Sequence, residues 1–551
     1  MAASVDVPVL IVGAGPVGLA LAIELGMRGV RAIVVEQGDG TIIDAKMFAT
    51  GIRTVEFCRR WGVADRVRNW DFPRDFPFDN VWVTSLSGYE LGRMARPSIA
   101  DTPPSRVSPE QYAHCPQFVF DPILVDKVRT LPSVDLRYRN QLLDFADRGA
   151  FLEARIRNHE SGRDETLRAS YLVGCDGFRS VVRKRLGIAM RGIPFIGHSV
   201  NIMFSTPNLA AYHDKGNAGR YVLIGPEGNW ASLVAADGRH RWRLMLRGSE
   251  NFDISNVDAE EMVRRAMGRD FDFEILTVTR WTRRRMVADR YRKGLVFMAG
   301  DAVHVMPPNG GLGMNTGIGD AVDLGWKLAA VLTGWGGPRL LESYEAERRP
   351  AGIQQCDEAI ANARRAIDAT KHAAIEDDTQ EAARLRGRLG THLADANRAA
   401  WDEPDATHLG YRYDGSPIIA PDGTPPPAEP ADRCHYDQTA RPGARAPHAW
   451  LRDGRSTLDL FGRGFTLLRL GEHSPAADAL AGAARARGVP LTEVRRKEPE
   501  IAALYGQPLV LVRPDGHVAW RGARVPADPG RLADLVRGAA SMSAGDGPAD
   551  V

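Results

Sequence analysis

The run Val9 to Val12, followed by Gly13-Ala14-Gly15-Pro16-Val17-Gly18, constrains this chain more than any other feature. A short apolar run leads into a glycine-rich turn. A stretch of helical composition follows from Leu19 to Arg28, then a second apolar run from Val30 to Glu36. That order is a βαβ unit starting almost at the first residue. In such a unit Gly13 permits the tight turn, Gly15 lets the backbone approach a pyrophosphate, and Gly18 allows close helix–strand packing. The helix start then turns free N–H groups and a positive dipole end toward the phosphates. Glu36 ends the second strand, where a carboxylate accepts hydrogen bonds from a ribose 2′-OH and repels a 2′-phosphate. The resident nucleotide is therefore expected to be FAD or NAD, not NADP, with Ala14 inside the binding turn.

At about 100–200 residues per domain, 551 residues predict two to four domains. The formal charge of +2, from 71 basic and 69 acidic residues, gives no concentrated basic field of the kind that nucleic acid or a membrane surface selects. Cys58, Cys115, Cys175, Cys356 and Cys434 are scattered and form no C-x-x-C pair, so neither a disulfide framework nor a metal site is expected, and a cytoplasmic location fits. No apolar run reaches the ~18 residues that a membrane span needs.

Further along, Ala169 to Val173 and Gly294 to Met298 read as strands. They lead into Cys175-Asp176-Gly177 and Gly300-Asp301. A helical tract is predicted over 351–401, and the proline-rich stretch to Pro447 reads as a linker over 402–447. Beyond it, Phe465 to Leu470, Leu509 to Arg513 and His517 to Arg521 read as strands and Ala476 to Arg487 as a helix, within a compact unit over 448–540. The last residues, 541–551, are small and polar and read as a disordered tail.

The choice between FAD and NAD turns on Gly300-Asp301-Ala302-Val303-His304, followed by Met306-Pro307-Pro308-Asn309-Gly310-Gly311-Leu312-Gly313-Met314-Asn315 and a helix from Thr316 to Leu332. A carboxylate at a strand end suits a polyol. A glycine-rich helix start suits a group that becomes negative, as a reduced flavin ring does. These residues, with Cys175-Asp176-Gly177-Phe178-Arg179-Ser180 and Arg183, resemble the linked motifs of the class A FAD-dependent aromatic monooxygenases, the group of para-hydroxybenzoate hydroxylase and the phenol hydroxylases. The likeness covers about residues 5 to 365. The unit after the linker resembles the thioredoxin-like C-terminal domain of the phenol hydroxylase branch through Val510 to Arg521, without its own C-x-x-C.

The resemblance implies an α/β protein. Its Rossmann-type FAD-binding domain (about 5–75, 110–190 and 285–360) is interleaved with a β-sheet substrate domain (about 76–110 and 190–285). It implies that Glu36 binds the adenosine ribose, Lys46 lies near the pyrophosphate and Gln117 touches the cofactor. Asp301 would hold the ribityl chain, Pro308 would lie at the flavin's reactive edge, and Gly311, Gly313, Met314 and Asn315 would cradle the pyrimidine end. Asp176 would take part in FAD and NAD(P)H handling. The implied chemistry is reduction of FAD by transient NADPH or NADH, addition of O₂ at C4a, and transfer of the distal oxygen of the hydroperoxyflavin to a small aromatic substrate, with no nucleic-acid or membrane partner and within a homodimer.

The pattern departs at one place. Several phenol-hydroxylating relatives carry an Asp or His five residues before the Arg of an Arg-Thr-x-Glu segment. Here that segment is Arg53-Thr54-Val55-Glu56 and the position is Phe48, which cannot take a proton but can line the substrate pocket. Tyr221, His213 and His198 are candidates for a base elsewhere in the pocket; His304 reads as a packing or hydrogen-bonding residue. A substrate needing no deprotonation, or a Baeyer–Villiger or epoxidising reaction on the same scaffold, are the alternatives. A flavin halogenase is disfavoured, because no Trp-x-Trp-x-Ile segment is present, and a non-catalytic scaffold is disfavoured by the intact cofactor motifs.

Overall fold

The computed structural model describes residues 5–42, 46–248, 252–365, 371–401, 405–426 and 436–541. Cys434 and nearly all of the predicted tail lie outside the described residues. The strand Val7–Val12 is central to a sheet in which Val296–Met298, Asp164–Gly174, Val7–Val12, Ala32–Val35 and Val134–Arg137 run parallel in that order. Parallel strands are covered on both faces, which is why VPVLIV carries almost no polar alternation. The helix Pro16–Gly26 follows the first strand, with proline at its start where no N–H is needed. It packs against the long helix Leu312–Leu332.

A second sheet of eight strands adjoins the first. Its order is His304–Val305, Glu274–Ala288, Met190–Ser205, Arg241–Gly248, Gly228–Ala235, Arg220–Gly225, Asn80–Val83 and Glu90–Met94. The paired strands Met190–Ser205 and Glu274–Ala288 are long enough to run from the first unit into the second, with a register shift between Ile193 and Gly197. The outer face of this sheet closes over its own apolar core around Phe204, Tyr221, Leu233 and Trp242.

The C-terminal unit is a four-stranded sheet in the order Leu491–Arg496, Phe465–Leu470, Leu509–Val512, Val518–Gly522. The first pair is parallel and the rest antiparallel, with helices Asp478–Ala486 and Pro529–Val536 packed together beside it. This is a thioredoxin-like arrangement.

Two expectations need correction. The tract 351–401 is not one helix: Glu342–Arg365 starts earlier, residues 371–379 are not helical, and Gln380–Trp401 is separate. The second helix carries Leu389 and Leu393 against Trp82, Leu91 and Met94 of the second sheet, so it belongs with the substrate region. Within the stretch 402–447, the described residues 405–426 and 436–447 are not a loose linker either. Tyr411, Tyr413 and Ile418 are buried, Ala420 N–H donates to the Ala519 carbonyl, and Arg445 is 1% exposed. Proline-rich composition marks missing helix and strand, and here the irregular chain is packed between the two units.

Candidate active site

The glycine turn does what its spacing predicts. Gly13 has φ 104°, and a Cβ there would stand 2.4 Å from the Cys175 carbonyl oxygen. A Cβ on Gly18 would stand 1.9 Å from the Gly13 oxygen, whereas the space beside Gly15 is open. The Ala14 N–H donates to Glu36 Oε2 at 3.0 Å and the Gly38 N–H to Glu36 Oε1 at 2.8 Å. Glu36 is thus fixed at its strand end, on the wall of a large cleft that Gly13 and Gly15 also line. Ala14 and Gly18 shape the turn from outside that lining.

The second motif is built on Val296–Met298 and the short turn Gly300–Ala302. The turn is anchored from beneath by Asp320, which is fully buried. Asp320 Oδ2 accepts from Gly300 N–H at 3.1 Å and bonds His304 Nε2 at 2.7 Å, and its Oδ1 accepts from Arg348 Nε at 2.8 Å. Asp301 is left free to face the cleft. Enclosure by the cavity walls pushes its carboxyl upward, against the pull of His304 and Lys46. His304 is buried and holds Asp320, as expected of a hydrogen-bonding residue.

Gly311, at φ 67°, caps the helix Leu312–Leu332. Pro308, Gly311, Leu312, Gly313 and Met314 line the cleft, so the free first-turn N–H groups and the helix dipole face it. Asn315 works from behind: its Oδ1 accepts from Gly51 N–H at 2.8 Å, and its Nδ2 donates to the Gly311 carbonyl at 2.6 Å. It ties the helix start to the segment carrying Phe48.

Asp176 lines the cleft; its Oδ2 accepts from Val182 N–H at 3.1 Å, while the buried Oδ1 has no hydrogen-bond partner. Arg183 links this turn to the second motif, donating to the carbonyls of Ala302 and Phe178 at 2.8 and 2.7 Å. Gln117 lines the cleft, but its polar atoms are engaged inside the protein. Oε1 accepts from Lys46 N–H at 3.3 Å and Nε2 donates to Asp121 Oδ2 at 2.9 Å. Burial raises Asp121 to about 7, against Gln117 and Lys46. Lys46 itself is exposed along the same wall. The open space at Gly15, the unpartnered Asp176 oxygen, the helix start at Gly311 and the fixed Glu36 together fit an FAD molecule.

The cleft has a volume of about 2070 Å³ and runs on from this half to a second half floored by the eight-stranded sheet. Phe48 is 7% exposed and lines the junction, with the Arg243 guanidinium 4.0 Å from its ring centroid. His114 stacks on Phe48 and on Trp70 and contacts Phe72 and Phe78. Its Nε2 bonds the Ala236 carbonyl at 3.2 Å. Burial lowers His114 to about 4, with Ala236 opposing, so the ring is neutral at physiological pH. The segment Trp70 to Phe78 contributes these aromatic rings around His114.

The two candidate bases are placed elsewhere. Tyr221 is fully buried in the core on the outer face of the sheet, donating to the Gly216 carbonyl. The reason is strand alternation: its neighbour Arg220 faces the cleft, so Tyr221 faces away. His213 packs edge-on against Tyr221 and accepts from Lys215 N–H through Nδ1. His198 pairs with Thr282 and is not on the wall. Of the consecutive arginines 283–285, Arg283 is buried and donates to the Gly248 carbonyl at 3.0 Å; Arg284 lines the cleft.

Sequence reasoning missed His114, Arg243, Arg220 and the anchoring role of Asp320. Asp320 had a signal, an acid within an otherwise apolar helical stretch. The others are scattered in sequence and meet only through sheet register. Among the described residues no cluster could hold a metal ion, and no helix is long and apolar enough to cross a membrane.

Residues 6–359 match the family described as FAD binding domain, and residues 439–540 match the aromatic-ring hydroxylase C-terminal family. The chain is 34% identical to aklavinone 12-hydroxylase RdmE of Streptomyces purpurascens, covering 95% of this chain and 96% of that one. It is 33% identical to 4-methyl-5-nitrocatechol 5-monooxygenase of a Burkholderia species, covering 97% of each. Among solved structures, chromopyrrolic acid-soaked RebC with bound 7-carboxy-K252c superposes with a TM-score of 0.90 at 41% identity, over 98% of this chain and 100% of that one.

Proposed function

Because the chain belongs to the FAD-dependent aromatic-ring monooxygenases, we propose that it uses NADH or NADPH and molecular oxygen to hydroxylate a multi-ring phenolic substrate. FAD is the cofactor. The observation that carries the substrate size is the single cleft of about 2070 Å³. Small-molecule pockets are commonly about 300–1,000 Å³, so this one has room for FAD and a large second molecule together. The RebC structure with bound 7-carboxy-K252c supports the same size class.

When bound, FAD supplies hydride acceptance and oxygen activation. The protein's own residues supply the rest. Glu36 and the Gly13–Gly18 turn hold the adenosine and pyrophosphate end. Asp301 holds the polyol chain, positioned by Asp320 and Arg348. The amides at Gly311 to Met314 stabilise negative charge on the ring. Phe48, His114, Phe78 and Arg243 shape the far half and limit water there, which favours oxygen transfer over peroxide release.

Tyr221 and His213 are withdrawn as bases. A Baeyer–Villiger or epoxidising outcome is the second reading, favoured by the phenylalanine at position 48. The reading includes a cytoplasmic enzyme, for which the free thiols of Cys58, Cys115, Cys175 and Cys356 speak, and a homodimer, which light scattering tests. Turnover of FAD-loaded protein with a panel of multi-ring phenols and ketones, with products identified by mass, decides between the reactions. A hydroxylated ring supports the first, and a lactone, ester or epoxide the second.

A further inference from the structure

A short two-stranded ribbon crosses the junction between the two halves of the cleft. Its strand Ala113–His114 pairs antiparallel with Ala49–Thr50, and Ala49 stands opposite His114. Residues two apart along an extended chain share a face. His114 and Tyr112 both line the cleft, whereas Ala113 between them is buried. Tyr112 is 38% exposed onto that space. A Cβ built on Gly311 would stand 4.0 Å from the Tyr112 hydroxyl oxygen. The hydroxyl therefore faces the start of the helix Leu312–Leu332, where the pyrimidine end of the flavin is expected. From the substrate side, Arg96 and Arg220 are close enough to act on its charge.

The ring of Tyr112 is set in a fixed frame. His408 packs beside it, with 6.3 Å between the ring centroids. His408 in turn lies so close to Gly51 that a Cβ there has no room. The Gly51 N–H donates to Asn315 Oδ1, and Asn315 Nδ2 donates to the Gly311 carbonyl. Tyr112 and the helix start are thus tied to each other through Gly51 and Asn315. Burial lowers His408 to about 4, so it offers Tyr112 a neutral ring. Enclosure by the cleft walls raises Tyr112 above the ordinary phenol value, against the pull of Arg96 and Arg220, so its O–H keeps its proton at physiological pH. Among the described residues no group hydrogen-bonds this hydroxyl.

We infer that Tyr112 is a substrate-binding residue that sets specificity: its hydroxyl hydrogen-bonds the phenolic oxygen of the ring to be oxidised and holds that ring at the flavin end of the substrate half. The inference rests on the proposed function and deepens it by naming the contact. A neutral hydroxyl both donates and accepts, so it seats a neutral phenol and asks for no charge on the substrate. An electrophilic oxygen adds to the carbons ortho and para to a phenolic oxygen. A fixed phenolic oxygen therefore decides which of those carbons faces the flavin. Phe48 lines the same junction on the partner segment of the ribbon and has no polar atom to offer. Tyr112 makes there the polar contact that Phe48 cannot.

The test uses FAD-loaded full-length enzyme and two probes of one shape, anthracene and 2-anthrol. Binding is read from perturbation of the flavin visible spectrum. The unaltered enzyme is expected to bind 2-anthrol about fivefold more tightly than anthracene, as one neutral hydrogen bond provides. Y112F removes a hydroxyl without a partner in the described protein, so it should fold and retain FAD as the wild type does. It should bind anthracene unchanged and lose the preference for 2-anthrol. Y112M, a second variant without the hydroxyl, should lose it too, so a folding defect in one variant does not decide the outcome. Y221F, which deletes a tyrosine hydroxyl away from the cleft, should keep the preference. Equal binding of the two probes by the wild type, or a preference that survives in FAD-loaded Y112F, overturns the inference and leaves the multi-ring reading intact. If neither probe perturbs the flavin, the multi-ring reading falls and takes the inference with it.

Discussion

Replacing Glu347 with Gln should weaken the seam between the FAD-binding and C-terminal units far more than replacing its neighbour Asp323 with Asn. Glu347 lies 2% exposed on the helix Glu342–Arg365. Its Oε1 accepts from Ser416 and from Arg513 Nη1 at 2.6 Å, and its Oε2 accepts from Lys327 Nζ at 2.6 Å and Arg513 Nη2 at 2.9 Å. Asp323 and Asp515 bond the same cations. Three carboxylates thus face two cations out of water. Burial pushes Asp323 well up, with Glu347 and Asp515 adding to it against Lys327 and Arg513, so Asp323 is the carboxyl expected to keep a proton. Burial would raise Glu347 too, but Arg513 and Lys327 outweigh it and hold it at about 2, from 4.5. At about 1.4 kcal/mol per pH unit, that displacement is worth about 3 kcal/mol, in line with the cost of breaking a buried ion pair. Because the folded pKa is depressed, this stability is present above about pH 4.5 and is lost as pH falls toward 2. Asp323→Asn removes no charge and should cost about 1 kcal/mol, one hydrogen bond. Urea unfolding read by tryptophan fluorescence is the assay, since Trp326 sits 5.3 Å from the Arg513 guanidinium. E347Q should lose about 3 kcal/mol at pH 7, and its deficit relative to the wild type should shrink as pH falls from 5 toward 2. Equal costs for the two variants would refute the assignment of the proton.

Gly13→Ala should abolish FAD retention, because its Cβ meets the Cys175 carbonyl at 2.4 Å; the ratio of flavin to protein absorbance after gel filtration checks this. Asp121 is raised to about 7 by burial, so the native protein holds a proton that the unfolded chain releases, and stability falls as pH rises from about 4 to 7. Asp121→Asn should remove that slope and gain as much as about 4 kcal/mol above pH 7; melting curves that stay parallel to wild type across this range would contradict it. Tyr221→Phe deletes a hydroxyl that donates to the Gly216 carbonyl. It should cost about 1 kcal/mol of stability and leave kcat within twofold, roughly, whereas a large loss of kcat with unchanged folding would return Tyr221 to the chemistry.

The cofactor half was legible in the sequence because its groups come from contiguous motifs. A strand end, a glycine turn and a helix start fix Glu36, Asp301 and Gly311 by local geometry alone. The substrate half was not, because Asn80, Arg220, Val234 and Arg243 form one row only through pairing of distant strands. The misplacement of Tyr221 has the same origin: a strand known without its facing leaves two equal choices, and one step along it exchanges cleft for core. Lys46 and Gln117 both line the cleft wall, and Gln117's hydrogen bonds to Lys46 and Asp121 make it a brace of that wall. The packed stretch around Tyr411 to Ile418 was hidden because proline-rich composition reports lost regularity and says nothing of burial.

The central claim is oxygen transfer from O₂ to an aromatic ring. The most direct measurement follows NADH and NADPH oxidation by FAD-loaded protein under isotopically heavy oxygen, against multi-ring phenols, with peroxide titrated alongside. The account predicts that an aromatic substrate accelerates oxidation and emerges carrying one heavy oxygen atom on its ring, with little peroxide. Oxidation that ends wholly in peroxide for every such substrate, or heavy oxygen found only in lactone, ester or epoxide products, would contradict it.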